Sequence, residues 1–344
     1  MRHENAELHN VVELIPAEDG IGQYMLRVPD SLRPTLNEAA RNNAPYPAGC
    51  EIRFNLRPGE TAKVVLATDV DNVLPPVAEV CQGCFRTQVV LVGMEPTELT
   101  ITALAADNSL EPITAEHKLP FDARLTRVLL PQLHRTKLLG IEGAMTPPRP
   151  GQTPSETILA YGSSITHGAH SVRPGGTYAM QTARHLGVDL LDLGFGGGAH
   201  MEATLAEHIA SRDDWDLATL EMGINVGGWS TDEFHGKVER FVDIISSAHP
   251  DKWIFCIDLF TFAGDLMPDH PGHVRFRESV AAIVEKLDRP KLVHVDGRDI
   301  LQDVRGLTFD LVHPSDDGFI EMGRRLAERI RTTMQVQGDR DTRT

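Results

Sequence analysis

The chain has 344 residues, more than the roughly 100 to 200 that one domain usually holds, so two domains and a sizeable core are expected. Lys and Arg total 33 against 49 Asp and Glu, a formal net charge of -16, which repels phosphate backbones and anionic membranes and argues against a nucleic-acid partner. The opening "MRHENAELHN" lacks the apolar core of an export signal, and no stretch approaches the roughly 20 apolar residues of a membrane span, so a cytoplasmic protein with no membrane partner is expected.

Residues 1–145 read as an all-β sandwich domain of short strands. "YMLRV" (24–28), "CEIRFNL" (50–56), "TAKVVLA" (61–67), "TQVVLVG" (87–93) and "TELTITAL" (97–104) are β-branched or alternating, and are broken by Gly, Pro and Asn. The four cysteines are Cys50, Cys81, Cys84 and Cys256; a chain this long does not depend on disulfides. Cys81-Gln-Gly-Cys84 has the C-x-x-C spacing but neither the further ligands of a zinc site nor the helix that a redox motif opens, so it reads as ordinary strand or turn thiols. Residues 146–156 form a proline-rich linker without periodicity.

From 157 to 337 the rhythm becomes strand then helix. The apolar strands are "ILAY" (158–161), "VDLLDLGF" (188–195), "LATLEMG" (217–223), "WIFCIDLF" (253–260) and "KLVHVDG" (291–297). Helical periodicity fills 231–249, 275–287 and 316–334. Parallel neighbours need crossover helices, so this half is expected to be α/β, a three-layer parallel five-stranded sheet preceded by the β-sandwich, with 338–344 as a frayed tail. Ligands of such sheets bind beyond the carboxyl ends of the strands.

Four strand ends carry the residue types that acyl transfer requires: Gly162-Ser163-Ser164, Gly196-Gly197-Gly198, Gly223-Ile224-Asn225, and "FDLVHPSDDG" with Asp310, His313 and Pro314. A serine hydroxyl needs a base to take its proton, and the His313 imidazole is the candidate. Asp310, three residues earlier, can hold that imidazole in one tautomer. The negative charge of a tetrahedral intermediate needs preorganised donors, which the Ser164 amide, a glycine amide near 197 and the Asn225 side chain could supply. Each feature also has a plain structural reading. Gly-Ser-Ser is commonly a turn, three glycines a bend, Asn225 a turn residue, and Asp310 or Ser315 a cap for the last helix with Pro314 at its start. Their conjunction at one sheet edge favours the catalytic reading.

These four blocks resemble those of the SGNH hydrolases, the GDSL-type esterase and lipase superfamily, over about residues 157–334. The resemblance implies a flavodoxin-like SGNH fold and serine ester hydrolysis without a metal or other cofactor. It implies Ser164 as nucleophile, with Ser163 where Asp often stands, and Asp310 and His313 completing the triad in Asp-Leu-Val-His-Pro. The implied oxyanion hole is Ser164, Gly197 as the best match within Gly196–Gly198, and Asn225, although Val226 replaces the Asp of the family's Gly-x-Asn-Asp. A β-sandwich or jelly roll ahead of such a domain resembles carbohydrate esterases that remove acetyl groups from sugars, which implies a jelly-roll-like domain over 1–145.

His167, His170 and His200 near the same edge have no recognised metal-ligand spacing, and no metal is expected. Trp229 and "FTFAGD" (260–265) are candidates either for lining a pocket or for packing a loop. The expected substrate is a small-molecule or carbohydrate ester. The alternatives are a glycan-binding protein whose SGNH domain is catalytically retired, and an acyltransferase using the same triad.

Overall fold

The computed structural model describes residues 1–69, 74–267, 269 and 273–341. The chain divides into two compact units: Met1–Glu156 with Val172–Gly175 and Asp189–Leu193, and Thr157–Ser171 with Gly176–Val188 and Gly194–Thr344.

In the first unit the strands are β1 (Arg2–His3), β2 (Ala6–His9), β3 (Glu13–Pro16), β4 (Gln23–Leu26), β5 (Glu51–Asn55), β6 (Thr61–Thr68), β7 (Val77–Gln82), β8 (Phe85–Leu91), β9 (Thr97–Thr102), β10 (Leu125–Leu129) and β11 (Thr136–Gly143). They form antiparallel sheets of order β1-β2-β5-β10-β7-β8 and β3-β4-β11-β6-β9. Two short helices, α1 (Glu38–Asn43) and α2 (Leu110–Glu116), connect strands. Alternation drives the burial: Ala62, Val64 and Leu66 of β6 join Ile52, Phe54, Val80 and Val128 in one apolar core. The other face of β5 and β10 is buried too, and charged. Arg127 and Arg53 both hydrogen-bond Glu51, at 2.7 and 2.8 Å from their Nε atoms, and the Arg127 guanidinium lies 3.5 Å over the Phe121 ring.

The proline-rich segment is tied to this unit. Asn55 and Thr146 exchange backbone hydrogen bonds at 2.7 and 3.1 Å, and the side-chain amides of Asn55 and Gln152 pair at 2.9 Å. Cys81 lies in β7, Cys84 follows Gly83 in the turn to β8, and all four thiols are free.

The α/β half builds a parallel sheet from β12 (Thr157–Gly162), β13 (Asp189–Gly194), β14 (Leu217–Glu221), β15 (Trp253–Ile257) and β16 (Leu292–Val295) in the order β13-β12-β14-β15-β16. Register pairs Ile158 with Leu217, Leu217 with Trp253 and Ile254 with Leu292. Its helices are α3 (Ser164–His167), α4 (Tyr178–Leu186), α5 (Ala203–Ala210), α6 (Thr231–Ala248), α7 (Ala263–Leu266), α8 (Phe276–Leu287), α9 (Gly297–Ile300) and α10 (Asp316–Asp341). α4 packs on α10, and α6 packs on both α5 and α8, which gives the three expected layers. α10 continues past 334 to Asp341; of the expected tail, 342–344 lie outside the described residues. Because β12 has β13 on one side and β14 on the other, the chain leaves it at the point where strand order reverses, the usual place for a ligand crevice.

Candidate active site

Ser164 opens α3 directly after β12. Gly162 is obligatory at that turn, because a Cβ would strike the Thr166 hydroxyl and the Glu221 carboxylate. Ser163 is buried as the N-cap, accepting the Ile165 N–H at 3.1 Å, whereas Ser164 is half-buried. Its hydroxyl lies 2.7 Å from His313 Nε2.

His313 and Asp310 share a loop closed on itself. The Thr308 N–H donates to the His313 carbonyl at 2.8 Å, and the Ser315 N–H donates to the Gly306 carbonyl at 2.7 Å. Leu311 takes a left-handed conformation (φ 56°), unusual for a non-glycine residue, which wraps the backbone around the Asp310 carboxylate. Oδ1 accepts from the Thr308 hydroxyl and the Val312 and His313 N–H groups, each at 2.9 Å, and Oδ2 accepts from His313 Nδ1 at 2.7 Å. Partial burial raises the pKa of this carboxyl, but the His313 and Val312 amides, the imidazole and Thr308 together hold it well below the usual carboxylate range. The capping alternative falls to Ser315, whose hydroxyl accepts the Gly318 N–H at 3.3 Å at the start of α10.

Around Ser164, backbone hydrogen bonding distinguishes the three glycines. The Gly196 N–H donates to His167 Nδ1 at 3.2 Å and the Gly198 N–H to the Phe195 carbonyl at 2.9 Å. Gly197 (φ 68°) is exposed, and among the described residues its N–H and that of Ser164 meet no acceptor. Asn225 accepts the Ala199 N–H through Oδ1 at 3.1 Å, which leaves its Nδ2 as a donor.

The three histidines are placed differently. His167 is buried with Nδ1 accepting a backbone N–H, His200 meets the Trp229 ring edge-on at 5.5 Å, and His170 lies beside the Asp310–His313 pair. "FTFAGD" is a packed loop: Phe260 and Phe262 are buried, and Arg277 donates to the Leu259 and Phe260 carbonyls. Sequence reasoning placed His170 near this edge but not against the relay, because no motif announces its left-handed backbone, and it missed two other neighbours of the site. Phe309 is 92 % exposed with its ring 6.5 Å from that of His170. Glu221 sits inside an apolar-looking strand, yet its Oε2 accepts the Ser163 N–H at 2.6 Å and the Thr166 hydroxyl at 3.1 Å.

A model of the GDSL-like lipase/acylhydrolase family matches residues 155–331. No curated protein sequence matches the chain. Among solved structures, the salicylyl-acyltransferase SsfX3 from a tetracycline biosynthetic pathway is similar at 20% identity and TM-score 0.78, over 97% of this chain and 95% of that one. A family two carbohydrate esterase from Cellvibrio japonicus is similar at 13% identity and TM-score 0.61, over 97% and 96%. An acetyl xylan esterase from the rumen bacterium Butyrivibrio proteoclasticus is similar at 12% identity and TM-score 0.54, over 83% and 90%. At these identities the likeness is one of fold.

Proposed function

The chain belongs to the GDSL-like lipase/acylhydrolase family, and from that premise we propose that it is a serine esterase that removes a short acyl group, such as acetyl, from a carbohydrate or similar small alcohol. The observation that carries the reading is the continuous relay from Ser164 Oγ to His313 Nε2 and from His313 Nδ1 to Asp310, 2.7 Å at each step. In this reading His313 Nε2 takes the hydroxyl proton as Ser164 Oγ attacks the acyl carbon. Asp310 stays ionised, orients the ring and stabilises the imidazolium that forms. The carbonyl oxygen, now anionic, is met by the Ser164 and Gly197 N–H groups and Asn225 Nδ2, donors that no protein acceptor competes for among the described residues. The tetrahedral adduct collapses, His313 protonates the departing alcohol oxygen, and Ser164 is left acylated. Water, deprotonated by His313, then releases the acid and restores the serine.

The short-acyl carbohydrate assignment is supported by analogy with the two esterases above. The exposed Phe309 ring, next in sequence to Asp310, suits an apolar or sugar face. A second reading is favoured by the acyltransferase neighbour: the same acyl-enzyme would pass its acyl group to an alcohol acceptor in place of water. The test is hydrolysis of p-nitrophenyl acetate, butyrate and octanoate by the wild type and Ser164→Ala, with mass spectrometry for an acylated Ser164. Acetate turnover lost in the variant is the expected result; equal turnover by both proteins removes Ser164 as nucleophile. Acyl transfer to added alcohols exceeding hydrolysis selects the second reading.

A further inference from the structure

The Asp310–His313 pair has a third partner that the relay does not use. His170 Nε2 lies 3.5 Å from Asp310 Oδ2, the same oxygen that accepts His313 Nδ1 at 2.7 Å, and the two imidazole rings are 4.9 Å apart. One ligand atom from each of His170, Asp310 and His313 lies within 4.8 Å of the others. His170 reaches this position from a left-handed backbone (φ 73°), a conformation that a non-glycine residue adopts at a cost of about 1 kcal/mol or more, so its direction is imposed by the fold. The side chains are 28 %, 28 % and 22 % exposed for His170, Asp310 and His313, which leaves the cluster open to a small solute.

We propose that His170, Asp310 and His313 form a binding site for a borderline-soft divalent cation, zinc above all, and that occupancy switches the esterase off. The proposal rests on the reading of Ser164, His313 and Asp310 as a triad. Two imidazoles and one carboxylate are the ligand types zinc takes, and a three-ligand site leaves a fourth position for water. Tetrahedral bonds of about 2.0 to 2.1 Å place ligand atoms roughly 3.3 Å apart. The His170–Asp310 separation already meets that, the His313–Asp310 pair has to open by about half an ångström as the metal replaces the bridging proton, and the two imidazole nitrogens, within 4.8 Å of each other, have to close by up to about 1.5 Å through rotation of the His170 ring. Desolvation and the neighbouring His313 both lower the pKa of His170 and so favour the neutral, metal-binding imidazole.

Inhibition follows from proton placement. A neutral imidazole carries one ring proton. With Nδ1 on the metal, that proton moves from Nδ1 to Nε2 through solvent, with no net gain or loss. Nε2 is then a donor towards Ser164 Oγ, and the serine has no base. The ion also takes the Asp310 charge that would stabilise an imidazolium. A hard cation such as Mg²⁺, which prefers an all-oxygen octahedral shell, lacks this fit.

The experiment is calorimetric titration of the full chain with zinc chloride, alongside ester hydrolysis at free zinc levels set by a chelator buffer. It uses the wild type, Ser164→Ala, His170→Asn and His170→Ala. Asparagine tolerates the left-handed backbone, so His170→Asn keeps the test valid if the alanine variant folds poorly. One equivalent of zinc should bind the wild type and Ser164→Ala alike, wild-type hydrolysis should fall in step with occupancy, and both His170 variants should need at least about tenfold more zinc for either effect, whatever their own uninhibited rate. Zinc binding that is indifferent to His170, or no binding at all, overturns the proposal. If no ester is hydrolysed by any protein, the esterase reading fails, while the titrations still decide whether the three residues hold zinc.

Discussion

Both oxygens of Asp310 are spent on His313: Oδ2 accepts its ring Nδ1 at 2.7 Å and Oδ1 accepts its backbone N–H at 2.9 Å. One carboxylate therefore fixes the tautomer of the imidazole and the backbone that carries it. Asp310→Asn keeps an oxygen for the backbone groups but offers an NH₂ to Nδ1, which favours the wrong tautomer. With the triad reading, kcat on p-nitrophenyl acetate should fall on the order of 10³ to 10⁴ with little change in KM. A variant with wild-type kcat would remove Asp310 from the relay.

Asn225 offers a cleaner separation of roles than the glycines, because its two amide atoms do different work. Asn225→Asp retains the acceptor for the Ala199 N–H and replaces the Nδ2 donor with a carboxylate oxygen that repels an oxyanion. The expected loss is at least about 10² to 10³ in kcat, with near-constant KM and an unchanged melting temperature. A large change in melting temperature with kcat preserved would make Asn225 a purely structural turn residue.

Glu221 is fully buried beneath the Ser163–Ser164 turn, and among the described residues its Oε1 has no hydrogen-bond partner. Burial raises its pKa, opposed by the Ser163 and Thr166 hydrogen bonds, relative to an ordinary value of 4.5. A folded-state pKa above the unfolded one means the protonated carboxyl favours folding, so its contribution is full below the unfolded value and is lost as pH rises through the folded one. Thermal melting from about pH 4.5 to about pH 8 should show the wild type losing stability relative to Glu221→Gln, which has no proton to lose. Parallel curves for the two proteins would mean the carboxyl titrates normally.

Glu51 shows the opposite sign in the first unit. Burial opposes its ionisation, but Arg127 and then Arg53 outweigh it and hold the carboxyl below its usual 4.5. Its stabilisation is therefore present above that value and lost as pH falls towards the depressed one. Glu51→Gln removes the carboxylate that Arg127 pairs with, while Arg53 keeps both of its hydrogen bonds to Asp189, and should cost about 3 to 5 kcal/mol near neutrality, measured by urea unfolding. The difference from wild type should shrink as the acid range is entered; a difference independent of pH would assign the loss to packing alone.

The strands of the parallel sheet were legible because they are largely buried on both faces and read as near-continuous apolar runs, and three of the site's four blocks sit where those runs stop, the Asp310–His313 block following α9 beyond the last strand. β7 and β10 were not legible. Glu79, Arg127 and Gln82 interrupt their pattern, and only tertiary pairing, such as Arg127 with Glu51, makes such residues compatible with an interior strand. The choice among Gly196, Gly197 and Gly198 depends on where two backbone N–H groups find acceptors, which composition cannot encode. His170 enters the site through a dihedral angle, and Glu221 through a vertical relationship between adjacent strands; neither leaves a spacing in the chain.

The residues bonded at the centre of the relay, Ser164 and His313, are 149 positions apart, one at the end of the domain's first strand and the other beyond its last. At roughly 5 to 20 residues per second, a ribosome that has made the serine needs on the order of ten seconds more to make the base. With the triad reading, the nascent serine is chemically ordinary throughout that interval. On that reading reactivity waits for the closing loop to dock, and a chain arrested during translation is inert towards cellular esters.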